Sequence, residues 1–172
     1  IGPNDVWVPP GGAVYFPDLY YQRPYWSRQQ GELAAQNVYL LPKGKRDVQP
    51  VIENLKQPNG IIGTPDGRWL YIADIGAGKT YKYSIDMDGN VGNGELFCEM
   101  GSDGMTLDEQ GNLYLTGNGV TIFNSKGAQI GHIPIPEKWT SNITFGGKDR
   151  RHLFITASEA GYILEMNVKG AH

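Results

Sequence analysis

The sequence predicts an all-β fold, a β-propeller of which the chain supplies about 3.5 blades, on three observations. Four segments share one grammar in register, each is followed by a tight turn and a second apolar run, and the composition favours short strands. The 24 Gly and 10 Tyr occur in a chain with no sustained helical period, the pattern of many strands joined by turns. The repeats begin near residues 3, 58, 102 and 141.

Each repeat opens with Pro or Ser, continues with Asn or Asp, and runs into a short strand: Pro3–Val8, Pro58–Gly63, Ser102–Leu107 and Ser141–Gly146. Turns follow at Pro10–Gly12, Pro65–Gly67, Glu109–Gly111 and Lys148–Arg150. Glycine or a polar residue there lets the chain reverse within a few residues. Second strands are expected at Ala13–Phe16, Trp69–Ile72, Asn112–Leu115 and His152–Ile155. Third strands follow at Asn37–Leu41, Thr80–Ile85, Gly119–Phe123 and Gly161–Val168, and fourth strands at Val48–Ile52, Gly94–Glu99 and Gln129–Ile133. The repeat starts lie 55, 44 and 39 residues apart. Four short strands in about 40–50 residues is the size of a propeller blade. A generic β-sandwich is the competing arrangement, but it gives no reason for a polar residue at the head of every repeat.

Composition narrows the class further. The 172 residues are expected to form one partial propeller domain over 1–172, with N-terminal blades absent because Ile1-Gly2-Pro3 begins inside a motif. An open propeller exposes strand edges and apolar faces. A companion segment carrying the missing blades, or a second copy, is therefore the expected partner. A formal charge of −3 with scattered basic residues gives no footprint for nucleic acid, and Lys43, Lys45 and Arg46 read as a solvated turn. No run approaches the roughly 18 apolar residues of a membrane span, so a soluble cytoplasmic or periplasmic protein is expected. Cys98 has no partner for an internal disulfide and reads as a buried, inert thiol.

Innermost propeller strands run alongside the channel in one direction, so equivalent positions at their heads form a ring. Asn4, Asn59, Asp103 and Asn142 hold that position. Three amide oxygens and a carboxylate suit a hard cation, Ca²⁺ first, with Zn²⁺ or Mg²⁺ as alternatives. The Cys/His set of a tetrahedral zinc site is missing.

These segments resemble the gluconolactonase/regucalcin family of sugar lactone hydrolases. The resemblance rests on Pro3-Asn4-Asp5, Pro58-Asn59-Gly60-Ile61, Ser102-Asp103-Gly104-Met105 with Asp108 and Gly111-Asn112, and Asn142–Gly147. Diisopropyl fluorophosphatase is a more distant relative. The resemblance implies a six-bladed propeller with one divalent metal in the channel. It places two Asn ligands on Asn4 and Asn59 and the Asp ligand on Asp103, while a Glu ligand from the first blade has no counterpart here. It also implies hydrolysis of a lactone by water attack on the ring carbonyl, with Asp103 as the base. Phosphotriester hydrolysis with Asp103 as nucleophile, or calcium binding without turnover, are the alternatives. The sequence Tyr15-Phe16-Pro17-Asp18-Leu19 departs from the family's Tyr-Phe-Thr-Asp-Pro, which affects the substrate loop.

Loops after the second strands return to the metal end, so 17–36, 74–79, 116–118 and 157–159 are expected around the mouth. The first carries Asp18, Tyr20, Tyr21, Arg23, Tyr25 and Trp26, residues suited to a flat polyhydroxylated ring. Asn142 completes the expected substrate set. Ala73–Thr80 satisfies a relaxed phosphate-loop pattern, but a strand-like run follows where phosphate binding needs a helix. The Asn142-Ile143-Thr144 sequon faces the channel, and His132, His152 and His172 stand alone.

Overall fold

The computed structural model describes residues 2–29, 31 and 33–172. Gln30 and Glu32, within the expected mouth loop, and Ile1 lie outside the described residues. Four sheets follow one another along the chain. The first blade contains β1 (Gly2–Pro3), β2 (Val14–Leu19), β3 (Asn37–Leu41) and β4 (Gln49–Ile52). The second contains β5 (Pro58–Gly63), β6 (Trp69–Asp74), β7 (Lys79–Ile85) and β8 (Val91–Cys98). The third contains β9 (Met105–Leu107), β10 (Leu113–Gly117), β11 (Gly119–Phe123) and β12 (Gln129–Ile133). The fourth has three strands, β13 (Thr140–Gly146), β14 (His152–Ala157) and β15 (Gly161–Glu165). Every neighbouring pair is antiparallel.

Alternation along each second strand explains how the blades stack. Leu70 and Ile72 point toward the first blade and bury against Trp7, Tyr15, Val38 and Leu40. Tyr71 and Ala73, one residue out of phase, bury against Met105, Leu107, Leu113 and Leu115 of the third blade. Tyr114 and Val120 do the same toward Ile143, Phe145, Leu153 and Ile155. Successive side chains of a strand face opposite ways, so a strand between two blades is apolar on both faces, and β6 and β10 are buried nearly throughout. The outer faces of the end blades lack this cover. Phe154 and Ile163 of the fourth blade are 39% and 61% exposed. On the first blade, Phe16 and Tyr39 stack on one another at 5.7 Å and remain half-buried.

One inner strand and one outer strand differ from the expected ones. The run over 3–8 pairs only at Gly2–Pro3 and again at the Trp7–Tyr15 bridge. Between them, Asp5 turns its carboxylate onto the Val6 N–H (2.8 Å), a local bond that competes with the ladder. The third strand of the last blade stops at Glu165 because the chain then crosses to the third blade. There Glu109 N–H bonds Lys169 O (2.8 Å), Ala171 N–H bonds Leu107 O (2.9 Å), and the His172 ring lies 2.8 Å from Gly63 O of the second blade. This strap runs across the ends of the inner strands opposite their Asn/Asp heads.

Gly63 shows how tightly the first interface is packed. A Cβ added there would meet the Trp7 indole at 2.2 Å, and Trp7 is buried. Gly63→Ala is expected to destabilise the protein by about 1–3 kcal/mol through overpacking, read as a shift in the urea midpoint with an unchanged m-value. Cys98 is buried, and burial pushes its thiol up to about 11. After β6 the chain passes through a turn directly into β7, with no helix for phosphate. Among the described residues no helix is long and apolar enough to cross a membrane.

Candidate metal centre and substrate mouth

Each innermost strand is irregular at its polar head. Between the pairs Pro58–Asp74 and Ile61–Ile72, Asn59 and Gly60 oppose the single residue Ala73. A comparable register shift lies between Thr140 and Asn142. A bulge re-aims a side chain that regular pleating would send into the blade interface. In the third blade the ladder begins only at Met105, and the preceding residues are held by side chains instead. Ser102 Oγ donates to Gly104 O (2.6 Å) and accepts from Thr116 N–H (2.8 Å), while Gly104 N–H donates to Thr116 Oγ1 (2.9 Å). Ser102, Gly104 and Thr116 are buried, so Asp103 projects from a fixed backbone. The fourth blade repeats the device with Ser141 and Thr156. In the second, Asp74 accepts from the N–H groups of Lys56 and Gln57, each at 2.8 Å.

Asn4, Asn59 and Asp103 form one hydrogen-bonded row. Asn4 Nδ2 donates to Asn59 Oδ1, and Asn59 Nδ2 donates to Asp103 Oδ1 (2.9 Å) and to the Tyr21 hydroxyl (3.0 Å). Trp139 Nε1 donates to the other oxygen, Asp103 Oδ2, at 3.0 Å. Asn59 is fully buried. Burial pushes the Tyr21 hydroxyl above the ordinary tyrosine range, so it stays protonated. Among the described residues no three His, Cys, Asp or Glu side chains gather. The row is two amides and one carboxylate, an all-oxygen donor set with a single negative charge, and it fits a hard divalent cation.

The mouth above this row is an open cavity of about 540 Å³ lined by Asn4, Tyr21, Arg23, Gln57, Ile75, Asp103 and Trp139. Of the loop residues expected at the mouth, Tyr21 and Arg23 line it, with the Arg23 guanidinium 5.8 Å from the Tyr21 ring centre. Tyr20, Tyr25 and Trp26 instead pack on one another, and Arg28 lies 4.6 Å from the Trp26 ring. Tyr20 lines a separate cavity with Asn37, Leu55 and Lys56. Asp18 pairs across the first blade with Asn37 and Pro3. Its Oδ1 is buried with no hydrogen bond among the described residues, and burial pushes its carboxyl up. Asn142 lines the channel with Asp5, Met105 and Thr144. It is not part of the Asn4–Asn59–Asp103 row, since its Oδ1 accepts from Ile143 N–H (2.7 Å).

Trp139 and Gln57 were not among the expected site residues. Both lie in links between blades, immediately before an inner strand. Those links enter at the end of the Asn/Asp row just as the second-strand loops do, so position relative to the repeat would have found them. Trp139→Phe removes the indole N–H while keeping an aromatic wall. It is expected to lower about tenfold the turnover of a reaction in which Asp103 takes part, the worth of one hydrogen bond to a charged group, with little change in melting temperature. An equal loss in both would make the indole a packing element.

The model of the SMP-30/gluconolactonase/LRE-like region matches residues 1–159. A gluconolactonase of Zymomonas mobilis is 32% identical over 173 residues, covering 91% of the chain and 48% of that protein. The structure of a gluconolactonase from Xanthomonas campestris superposes with a TM-score of 0.85 at 32% identity, over 95% of the chain and 56% of that protein. A calcium-binding protein, regucalcin, from Agrobacterium tumefaciens superposes at 0.78 and 23% identity, over 98% of the chain and 62% of its own, a likeness of fold. The chain spans about half the length of the curated relatives it matches.

Proposed function

Because the chain belongs to the SMP-30/gluconolactonase/LRE-like family, we propose that this protein hydrolyses a sugar lactone at a divalent-cation site built on Asn4, Asn59 and Asp103. The observation that carries the reading is the contiguous Asn4–Asn59–Asp103 row at the floor of a mouth walled by Tyr21, Arg23 and Trp139. Asn4 and Asn59 would hold the cation by their amide oxygens and Asp103 by Oδ1. Ca²⁺ is the ion we favour, on the oxygen donor set and on the named calcium binding of the regucalcin neighbour. When bound, a cation supplies a Lewis acid toward a carbonyl oxygen.

The chain's own groups carry the rest. Asp103 Oδ2, oriented by the Trp139 N–H, takes a proton from the attacking water. The water oxygen bonds to the lactone carbonyl carbon, the ring C–O bond breaks, and the proton returns to the departing ring oxygen to give the open hydroxy acid. Tyr21 and Arg23 offer a hydroxyl and a guanidinium to the sugar's oxygens. The neutral amides of Asn4 and Asn59 leave the site with net positive charge once a cation is held, which favours an electron-rich carbonyl. The test is gluconolactone hydrolysis by the full-length protein before and after exhaustive chelation. Activity should disappear and return with added Ca²⁺; activity that survives chelation would sink the reading.

The uncovered faces of the first and fourth blades (Phe16, Tyr39, Phe154, Ile163) also need cover. We propose that further blades of the same protein supply it, in keeping with relatives about twice as long. Light scattering should then find the full-length protein monomeric and the 172-residue chain alone self-associated. A stable 19.0 kDa monomer of the chain alone would contradict this.

A further inference from the structure

The bulge that presents Asn59 leaves backbone donors that its own sheet cannot satisfy. An innermost strand has no partner strand on the channel side, so the N–H groups beside the bulge must look to adjacent blades. Gly60 N–H reaches Ser102 O at 3.4 Å on one side. On the other, Ile61 N–H donates to Asp5 Oδ2 at 3.2 Å, while Asp5 Oδ1 accepts from Val6 N–H at 2.8 Å. The residue before Asp5 is Asn4, whose amide reaches Asn59. The dipeptide Asn4–Asp5 therefore grips the second blade at two points, residues 59 and 61, on either side of Gly60.

This grip replaces a ladder that has lapsed. Between Pro3 and the Trp7–Tyr15 bridge, the first blade's inner strand makes one backbone bond of its own among the described residues, Asn4 N–H to Pro17 O at 3.2 Å. Gly60 keeps the approach close, since a Cβ there would meet Asp103 O at 2.9 Å. The fourth blade offers a contrast: Asn142 Oδ1 bonds the following N–H, as Asp5 Oδ1 does, but its side chain makes no hydrogen bond to another blade among the described residues. At Asp5 the local donor and the remote one meet separate oxygens, an arrangement open to a carboxylate but not to an amide, whose second head atom is itself a donor.

We propose that Asp5 is a positioning residue that fixes the spacing of Asn4 and Asn59 by tying the Asn59 bulge to the first blade, an assignment that rests on the cation reading above. Asp5 neither touches substrate nor ligates the ion. Replacing it changes how firmly the two amides are held in register.

The test uses the full-length protein with Asp5→Asn and Asp5→Ala. It has two readouts: hydrogen exchange at the Ile61 amide, and Tb³⁺ affinity followed by luminescence sensitised by Tyr21 and Trp139. In Asp5→Asn one of the two backbone donors loses its acceptor. Ile61 exchange should rise about tenfold and Tb³⁺ affinity fall about tenfold, with larger changes in Asp5→Ala. Exchange at Ile72 and Leu113, buried in the blade interfaces, should stay at wild-type rates. Unchanged Ile61 exchange, unchanged Tb³⁺ affinity, or acceleration spread evenly over all blades would each overturn the proposal. If Asp5→Ala does not fold, Asp5→Asn decides. Wild-type protein that binds no Tb³⁺ would overturn the cation reading itself, whereas wild-type binding with unaffected variants overturns only the role of Asp5.

Discussion

Asp103→Asn is expected to lower lactone turnover at least about a thousandfold while leaving the fold in place, because it removes a base and a charge together. Asp103 is the only carboxylate in the row, so the substitution weakens the hold on a cation and takes away the proton acceptor in the same step. The fold should tolerate it. The backbone around residue 103 is fixed by Ser102 and Thr116, not by the carboxylate. What the amide does disturb is local. Two N–H donors, from Asn59 and Trp139, meet separate carboxylate oxygens, and an amide can accept from only one while turning its own NH₂ toward the other. Turnover should be measured at Ca²⁺ concentrations that saturate the wild type and raised again by two orders of magnitude, which separates lost affinity from lost chemistry. Near-wild-type hydrolysis would remove Asp103 from the mechanism.

Asn59→Ala should lower cation affinity about a hundredfold and reduce kcat at saturating Ca²⁺ far less. Asn59 is fully buried and joins three groups: Asn4, Tyr21 and Asp103. Truncation deletes an amide oxygen from the donor set and strands three polar partners, each costing about 1–3 kcal/mol where water cannot replace the bond. Part of that cost falls on stability, so a fall of several degrees in melting temperature should accompany it. Calorimetric titration with Ca²⁺ separates the two effects. Loss of kcat at full cation occupancy, with affinity unchanged, would make Asn59 a substrate or transition-state group and leave the ion to other residues.

The blade order was legible because two periodicities agree in this sequence. The repeat of Asn or Asp at 4, 59, 103 and 142 marks the inner strands, and the turns at 10–12, 65–67, 109–111 and 148–150 mark the steps to the second. Strands fixed by apolar alternation on both sides, such as Asn37–Leu41 and Gly119–Phe123, were readable to the residue. The lapse between Pro3 and Trp7 was not, because it depends on Asp5 finding Ile61 of another blade, a contact no local pattern announces. The end of β15 is set in the same way by the strap onto Glu109 and Leu107.

Within the site, the row at 4, 59 and 103 follows from register, but the mouth follows from packing. Trp26 and Tyr21 are equivalent as letters in one aromatic loop. Only the fold shows that Tyr21 turns to Asn59 while Trp26 packs at a tilt against Tyr20 beside Arg28. Trp139 is marked only by its place in the link directly before an inner strand, since a single indole carries no periodic signal of its own.

The central claim is that Asn4, Asn59 and Asp103 share one cation. Anomalous diffraction from crystals of the full-length protein soaked in Tb³⁺ or Mn²⁺, with Ca²⁺ as competitor, tests it directly. The account predicts one strong peak within about 2.3–2.6 Å of an oxygen of each of the three side chains, displaced by Ca²⁺ and absent in Asp103→Asn. A peak held elsewhere in the channel, with these three side chains still bonded only to one another, would contradict it.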